Sequence, residues 1–280
     1  MFKKIILNFI ARLSPSEKCP YVVILNYHSI CLNNSNYIDD WSVSLDMFDM
    51  QMKYLADNNV EVIPLNDIEN ICLNSDLGDK LYVCITFDDG LEDNYINAFP
   101  ILEKYGINNA SFFIVANSLI NSCGTSWWLS NDKEAKLMNA DQIKNLYNSG
   151  HNIGSHALSH QNLNNVSDSV FERELIMSKN ILDITCSMDC KSIAIPFGIS
   201  GNINKEEFAK DICKKNGYNF LFLGRFGYVN SKNYDNVDLP RVPVYGSDSI
   251  NTFIFKVNGK YNLISKVYFF RKKIRYIFGL

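Results

Sequence analysis

The chain has no net positive charge, no C-x-x-C pair, no internal repeat, no low-complexity linker and only four histidines among its 280 residues. Each scarcity excludes something. A formal net charge of -3 leaves no global basic footprint, so nucleic acid is not an expected partner. The eight cysteines, Cys19, Cys31, Cys72, Cys84, Cys123, Cys186, Cys190 and Cys213, show neither finger-like nor redox spacing, and Cys84 lies inside an apolar strand-like run. No disulfide framework is expected, which favours a reducing compartment. The C-x-x-x-C pair Cys186 and Cys190 reads as structural thiols. The apolar run within residues 1–13 is broken by Asn8 and closed by Arg12, too short to span a bilayer and without a convincing cleavage site, so a cytoplasmic location is expected.

What remains is an ordinary enzyme-sized composition. At 47% hydrophobic the chain can bury one sizeable core. Apolar or β-branched strand candidates at 21–26, 81–86, 110–115, 153–154, 192–195 and 220–223 alternate with helical patterns at 45–57, 94–105, 141–149, 171–182 and 205–216, with Gly106, Gly150 and Gly217 as terminators. That alternation predicts an α/β fold with a parallel sheet, closed or nearly closed as a barrel. One domain is expected over 21–250, with a basic and apolar segment at 1–20 and a basic aromatic tail at 251–280. From Lys256 onward the tail carries Lys260, Lys266, Arg271, Lys272, Lys273 and Arg275 and no acid, interleaved with aromatics. It suits either peripheral contact with an anionic membrane or a last helix packed on the barrel.

The run Leu81-Tyr-Val-Cys-Ile-Thr-Phe-Asp-Asp-Gly90 ends a buried-looking strand in two carboxylates, for which packing offers no reason. Asp-Asp-Gly alone would read as a turn. His156 and His160, four residues apart, would project from one side of a helical turn and could reach one ion. Either aspartate would complete a one-carboxylate, two-histidine set with open coordination positions. His28, Asp88, Asp89, His156, Pro196 and Arg225 all fall at or just beyond predicted strand ends, which in a β/α barrel converge on one face.

These motifs resemble those of the NodB-like polysaccharide deacetylases of carbohydrate esterase family 4. Thr86-Phe-Asp-Asp-Gly90 is similar to the family's first motif, which implies Asp88 as general base and Asp89 as metal ligand. Gly150-His-Asn-Ile-Gly-Ser-His-Ala-Leu-Ser-His160 resembles the second, implying His156 and His160 as the other ligands. Ile195-Pro-Phe-Gly198 resembles the third, which places Pro196, Phe197 and Gly198 on one wall of the substrate groove. The chain departs from the pattern twice. Ala194 and Ile195 stand where an arginine often holds the catalytic aspartate, and Arg241, in Leu239-Pro-Arg-Val-Pro-Val244, is the candidate replacement. No histidine follows His160, so the usual late catalytic histidine is missing; the circularly permuted branch supplies it near the N-terminus, and Leu25-Asn-Tyr-His-Ser-Ile30 resembles that segment. His28 is therefore the candidate proton donor, its pKa raised by neighbouring carboxylates.

The resemblance implies a distorted (β/α)7 barrel that removes N-acetyl groups from amino sugars of a glycan or a lipid-linked sugar. The ligand types favour Zn²⁺ and would accept Co²⁺, Ni²⁺ or Fe²⁺. Trp127 and Trp128 could stack on sugar rings or simply close the barrel end. An O-acetyl esterase, a deformylase of a lipid-linked sugar and a non-catalytic carbohydrate-binding relative are the other readings.

Overall fold

A computed structural model describes residues 21–32, 40–74, 80–120, 129–130 and 133–261, with 129–130 and 133–134 described by backbone alone. The segment 1–20, Trp127, Trp128 and the tail beyond 261 lie outside the described residues. Eight strands make one parallel sheet: β1 (Val22–Tyr27), β2 (Glu61–Val62), β3 (Tyr82–Phe87), β4 (Ser111–Ile114), β5 (Asn152–Ser155), β6 (Ser192–Ala194), β7 (Phe220–Phe222) and β8 (Val242–Pro243). Their order is β7-β6-β5-β4-β3-β1-β8, with β2 beside the start of β3. Every residue of β3 is buried, as expected of a parallel strand covered on both faces. Backbone bonds from Leu239 N–H to Leu221 O (3.2 Å) and Arg241 N–H to Arg225 O (2.9 Å) join the chain leaving β7 to the chain entering β8. They curl the sheet towards a closed ring and carry Arg241 inward.

The crossover helices form where side chains satisfy their first N–H groups and an apolar stripe faces the sheet. α1 (Leu45–Asp57) starts at Ser44, whose hydroxyl accepts from the Met47 N–H, and buries Phe48, Met52 and Leu55. α2 (Ile68–Leu73) is a short addition that the periodicity did not announce. The predicted helix at 94–105 begins as a π-helical turn, Asn94–Ala98, before α3 (Phe99–Lys104). α4 (Ala140–Asn148) opens with a reciprocal Asn139–Gln142 capping box, and α5 (Asp168–Cys186) with Ser167. α6 (Ile203–Lys215) is capped by Asn202, and α7 (Ile250–Val257) by Ser249.

α7 revises the reading of the tail. Phe253 and Val257 are buried in the core, and Lys256, counted above with the basic tail, is itself buried. Its ammonium is bonded to Asp248 and to the Pro243 carbonyl oxygen (2.8 Å). The six described cysteines are all buried. Among the described residues, no helix is long and apolar enough to cross a membrane.

Candidate active site

β3 delivers Asp88 and Asp89 to the C-terminal rim of the sheet, and the two side chains part there. Asp88 N–H still bonds to Tyr27 O (2.9 Å), while Asp89 takes a left-handed φ of 74° and Gly90 one of 69°. The positive φ is what turns the second carboxylate away from the first, and non-glycine strain of this kind concentrates at functional sites.

Asp89 faces the two histidines. Its Oδ1 lies 3.2 Å from His156 Nε2 and 3.0 Å from His160 Nε2, and all three residues are buried. The histidines are not on a helical turn, contrary to the expectation from their spacing. They flank an irregular loop after β5, in which Ala157 (φ 59°) and His160 (φ 58°) bend the chain so that both rings return to one point. That loop is held from below by Glu174 of α5, which is 1% exposed. Its carboxylate accepts from the backbone N–H groups of Leu158 (3.0 Å) and Ser159 (2.9 Å), from the Ser159 hydroxyl (2.7 Å) and from Gln161 Nε2 (2.7 Å).

His156 Nδ1 lies 2.8 Å from the Ala194 carbonyl oxygen, which can only accept, so Nδ1 carries the proton. In the neutral tautomer a bare Nε2 then faces a carboxylate oxygen, and two acceptors at 3.2 Å need a proton or a cation between them. The titration directions agree. Burial pushes His156 down, but Asp88 and Asp89 outweigh it and the pKa rises. Burial pushes Asp89 up, yet hydrogen bonds from His156 and His160, with nearby positive charge, hold it well below the usual carboxylate range. One carboxylate oxygen and two imidazole nitrogens within 4.8 Å of one another fit a divalent transition-metal ion, which would replace that proton.

Asp88 faces the other way. Arg241, just before β8, grips it bidentately, Nη1 to Oδ1 and Nη2 to Oδ2 at 2.7 Å each, with a further contact to Thr86 Oγ1 (3.3 Å). The guanidinium is buried between Phe113 and Phe222, 5.5 and 5.0 Å from their ring centroids. Burial pushes the Asp88 carboxyl up, but Arg241, His156 and His28 more than offset this and hold it down. Arg225, the other strand-end arginine, is not part of this centre: it pairs with Asp238 and with Glu206 (2.9 Å).

His28 follows β1 and brings Nε2 to 4.0 Å from Asp88 Oδ2. Its position is fixed by the π-helical turn, since Asn94 Nδ2 donates to the His28 carbonyl oxygen (2.6 Å) and Asn97 Nδ2 to that of Ile30 (2.7 Å). The expected upward pKa shift is overturned. Burial outweighs the pull of Asp89 and Asp88, Arg241 adds to it, and the imidazole titrates below its ordinary value.

Along the β6 side Pro196 is buried, while Phe197 (φ 60°) is 67% exposed with its ring 5.0 Å from His160. Gly198 (φ 64°) packs so closely that an added Cβ would sit 2.7 Å from the Leu223 carbonyl oxygen. Glu174, Asn94 and Trp41, which lies against His28, were not among the sequence candidates. Glu174 did leave a trace: Phe171, Glu174, Leu175 and Ser178 share one buried face of α5, and an acid within such a stripe signals a polar debt to be met.

Fold and centre thus define a parallel β/α barrel with a one-carboxylate, two-histidine site and a second carboxylate at its C-terminal rim. The chain belongs to the polysaccharide deacetylase family, whose model matches residues 76–221. It is 30% identical over 183 residues to a Bacillus subtilis (strain 168) protein named as a polysaccharide deacetylase, YxkH; the match covers 65% of this chain and 59% of that protein. It is 26% identical over 255 residues to the poly-beta-1,6-N-acetyl-D-glucosamine N-deacetylase of Staphylococcus epidermidis, covering 84% of this chain and 82% of the relative. Among solved structures, the Streptococcus pyogenes deacetylase PplD in complex with acetate superposes with a TM-score of 0.69 at 22% identity, over 85% of this chain and 98% of that one. IcaB from Ammonifex degensii gives 0.67 at 19%, over 87% and 98%. These two share the fold, the distorted (β/α)7 barrel.

Proposed function

We propose that the chain is a metal-dependent N-deacetylase acting on N-acetylated amino sugars of a poly-N-acetylglucosamine type of glycan. The observation that carries this is the Asp89 and His156 pair, whose facing acceptors ask for a cation, beside an Asp88 that is held ionised and aimed elsewhere. A divalent ion held by Asp89, His156 and His160, Zn²⁺ by ligand type, would supply the Lewis acid for the amide carbonyl and the attacking water.

Asp88 takes the proton of that water. Arg241 fixes both of its oxygens through one lone pair each and leaves the others free to accept. As the C–N bond breaks, the departing amine needs a proton, and His28 is the donor on the other side of the cleft. A histidine with a lowered pKa is neutral at rest, so it gives a proton only after receiving one. The proton collected by Asp88, 4.0 Å away, is the source, passed to His28 through a bridging water.

Acetate release from β-1,6-linked N-acetylglucosamine oligomers, with and without a chelator, tests the reading. Activity that disappears on chelation and returns with metal is the expected result. Asp88→Asn should keep its metal and lose turnover by on the order of 10²–10⁴-fold. Chelator-resistant release, or a metal-free Asp88→Asn protein, would overturn the assignment.

A further inference from the structure

We infer that Arg225 is a positioning residue for the reaction: it touches no reacting atom, but with Glu206 and Asp238 it fixes the backbone seat from which Arg241 grips Asp88. This rests on the reading of Asp88 as the base. Arg225 Nε donates to the Asp238 carboxylate and Nη2 to Glu206 Oε2 (2.9 Å), so one guanidinium ties the chain after β7 to α6 and to the approach to β8. The second Glu206 oxygen accepts from the Gly201 N–H, in the loop after β6.

The main chain of Arg241 hangs on that same segment. Its N–H donates to the Arg225 carbonyl oxygen (2.9 Å), and its own carbonyl oxygen accepts from the Gly227 N–H (3.3 Å). The segment is bounded by Gly224 (φ 82°) and Gly227 (φ 155°), conformations that glycine enters and leaves at little cost. Backbone preference alone therefore does not hold the seat. The Arg225 side chain does, from two sides.

The grip on Asp88 leaves little tolerance. Both carboxylate oxygens are held at 2.7 Å by one planar fork, which requires the two groups to stay aligned. The Arg241 guanidinium is wedged between Phe113 and Phe222, so its end cannot swing to make up for a shifted backbone. A displaced seat either breaks one of the two bonds or drags Asp88 with it. Stability does not explain the trio of charges behind the seat. Glu206 is buried, Asp238 is half-buried with its carboxyl pushed up by burial, and ion pairs in such surroundings contribute little over apolar residues of the same volume. What they supply is one fixed geometry.

The test is a double-mutant cycle between Arg225 and Arg241, read as acetate release from a β-1,6-linked N-acetylglucosamine pentamer, with metal content and thermal unfolding measured on every variant. Arg225→Met should keep its metal, leave KM within about twofold and lower kcat by roughly 10- to 100-fold, the scale of a reacting group displaced by about 1 Å. In the Arg241→Met background the same substitution should lower kcat by less than about twofold, because the seat then has no grip to place. Arg225→Lys, which keeps the charge, should recover part of the lost kcat. Should Arg225→Met fail to fold, Asp238→Asn, which leaves the Glu206 bond in place, carries the same comparison: a loss of kcat that vanishes in the Arg241→Met background is the expected result. Equal losses in both backgrounds, wild-type kcat, or a change confined to KM would overturn the inference alone. Wild-type kcat in Arg241→Met would overturn the reading of Asp88 and this inference with it.

Discussion

Glu174 offers the sharpest test of how the loop between His156 and His160 is built, because it touches no reacting atom and yet holds the segment between the two proposed metal ligands. Glu174→Ala deletes the acceptor of four hydrogen bonds. The Ser159 hydroxyl and the Gln161 amide can turn to other partners, but the N–H groups of Leu158 and Ser159 are fixed by the backbone. Two donors left unmet cost about 1–3 kcal/mol each, so the loop loses roughly 2–6 kcal/mol of preference for its present conformation. Relaxation and entering water recover part of this, and the remainder appears as weaker metal binding, about 10–100-fold, the usual scale for a lost outer partner of a ligand. Glu174→Gln should keep most of the affinity. One carbonyl oxygen still serves both backbone N–H groups, and its amide can donate to a rotated Ser159 hydroxyl and a flipped Gln161. Titration of metal-free protein against a competing chelator reads the affinity, and thermal unfolding of the metal-free forms checks that the body is intact. Metal binding by Glu174→Ala as tight as wild type would refute the argument.

Arg241→Met keeps the volume between Phe113 and Phe222 and removes the charge, leaving burial of Asp88 less opposed. Because wild-type Asp88 is held down, its ionised form persists to low pH; in the variant the acidic limb of kcat/KM should move up by roughly one to three pH units, and an unmoved limb would deny Arg241 its role. His28→Gln should retain metal and fold but lose activity by on the order of 10²–10⁴-fold, whereas wild-type turnover would send the search for the proton donor elsewhere. His151 lies between Phe99 and Phe112, 5.5 and 5.4 Å from their rings, and burial pushes its pKa down to about 4. Its folded pKa lies below the unfolded value near 6.5, so the stability it permits is complete above that value and falls as pH drops through it. Wild type should lose about 2 kcal/mol between pH 7 and pH 5 that His151→Phe does not, read from denaturant midpoints; parallel losses would contradict it.

Much of the frame follows from local sequence signals. The helix read at 45–57 matches α1, and the six strand candidates match β1 and β3 to β7 to within a residue or two, because an apolar run bounded by turn residues needs only its neighbours to declare itself. The same locality made Asp88 and Asp89 legible at the end of β3. α2 and α7 were missed since six and eight residues are too few to display a helical period. The rest was decided in three dimensions. Arg241 meets Asp88 across 153 positions of sequence, and no period encodes such a pairing; it needs the curled sheet to bring β8 beside β1. His156 and His160 have ligand spacing by count, but their convergence comes from two left-handed residues and from Glu174 below, not from a helical turn. His28 carries two opposing influences, carboxylates that raise its pKa and burial that lowers it, and only the packing around the ring determines which prevails. Residue types fix what chemistry is available to this chain, while the depth and direction in which the fold sets each side chain decide which of it is used.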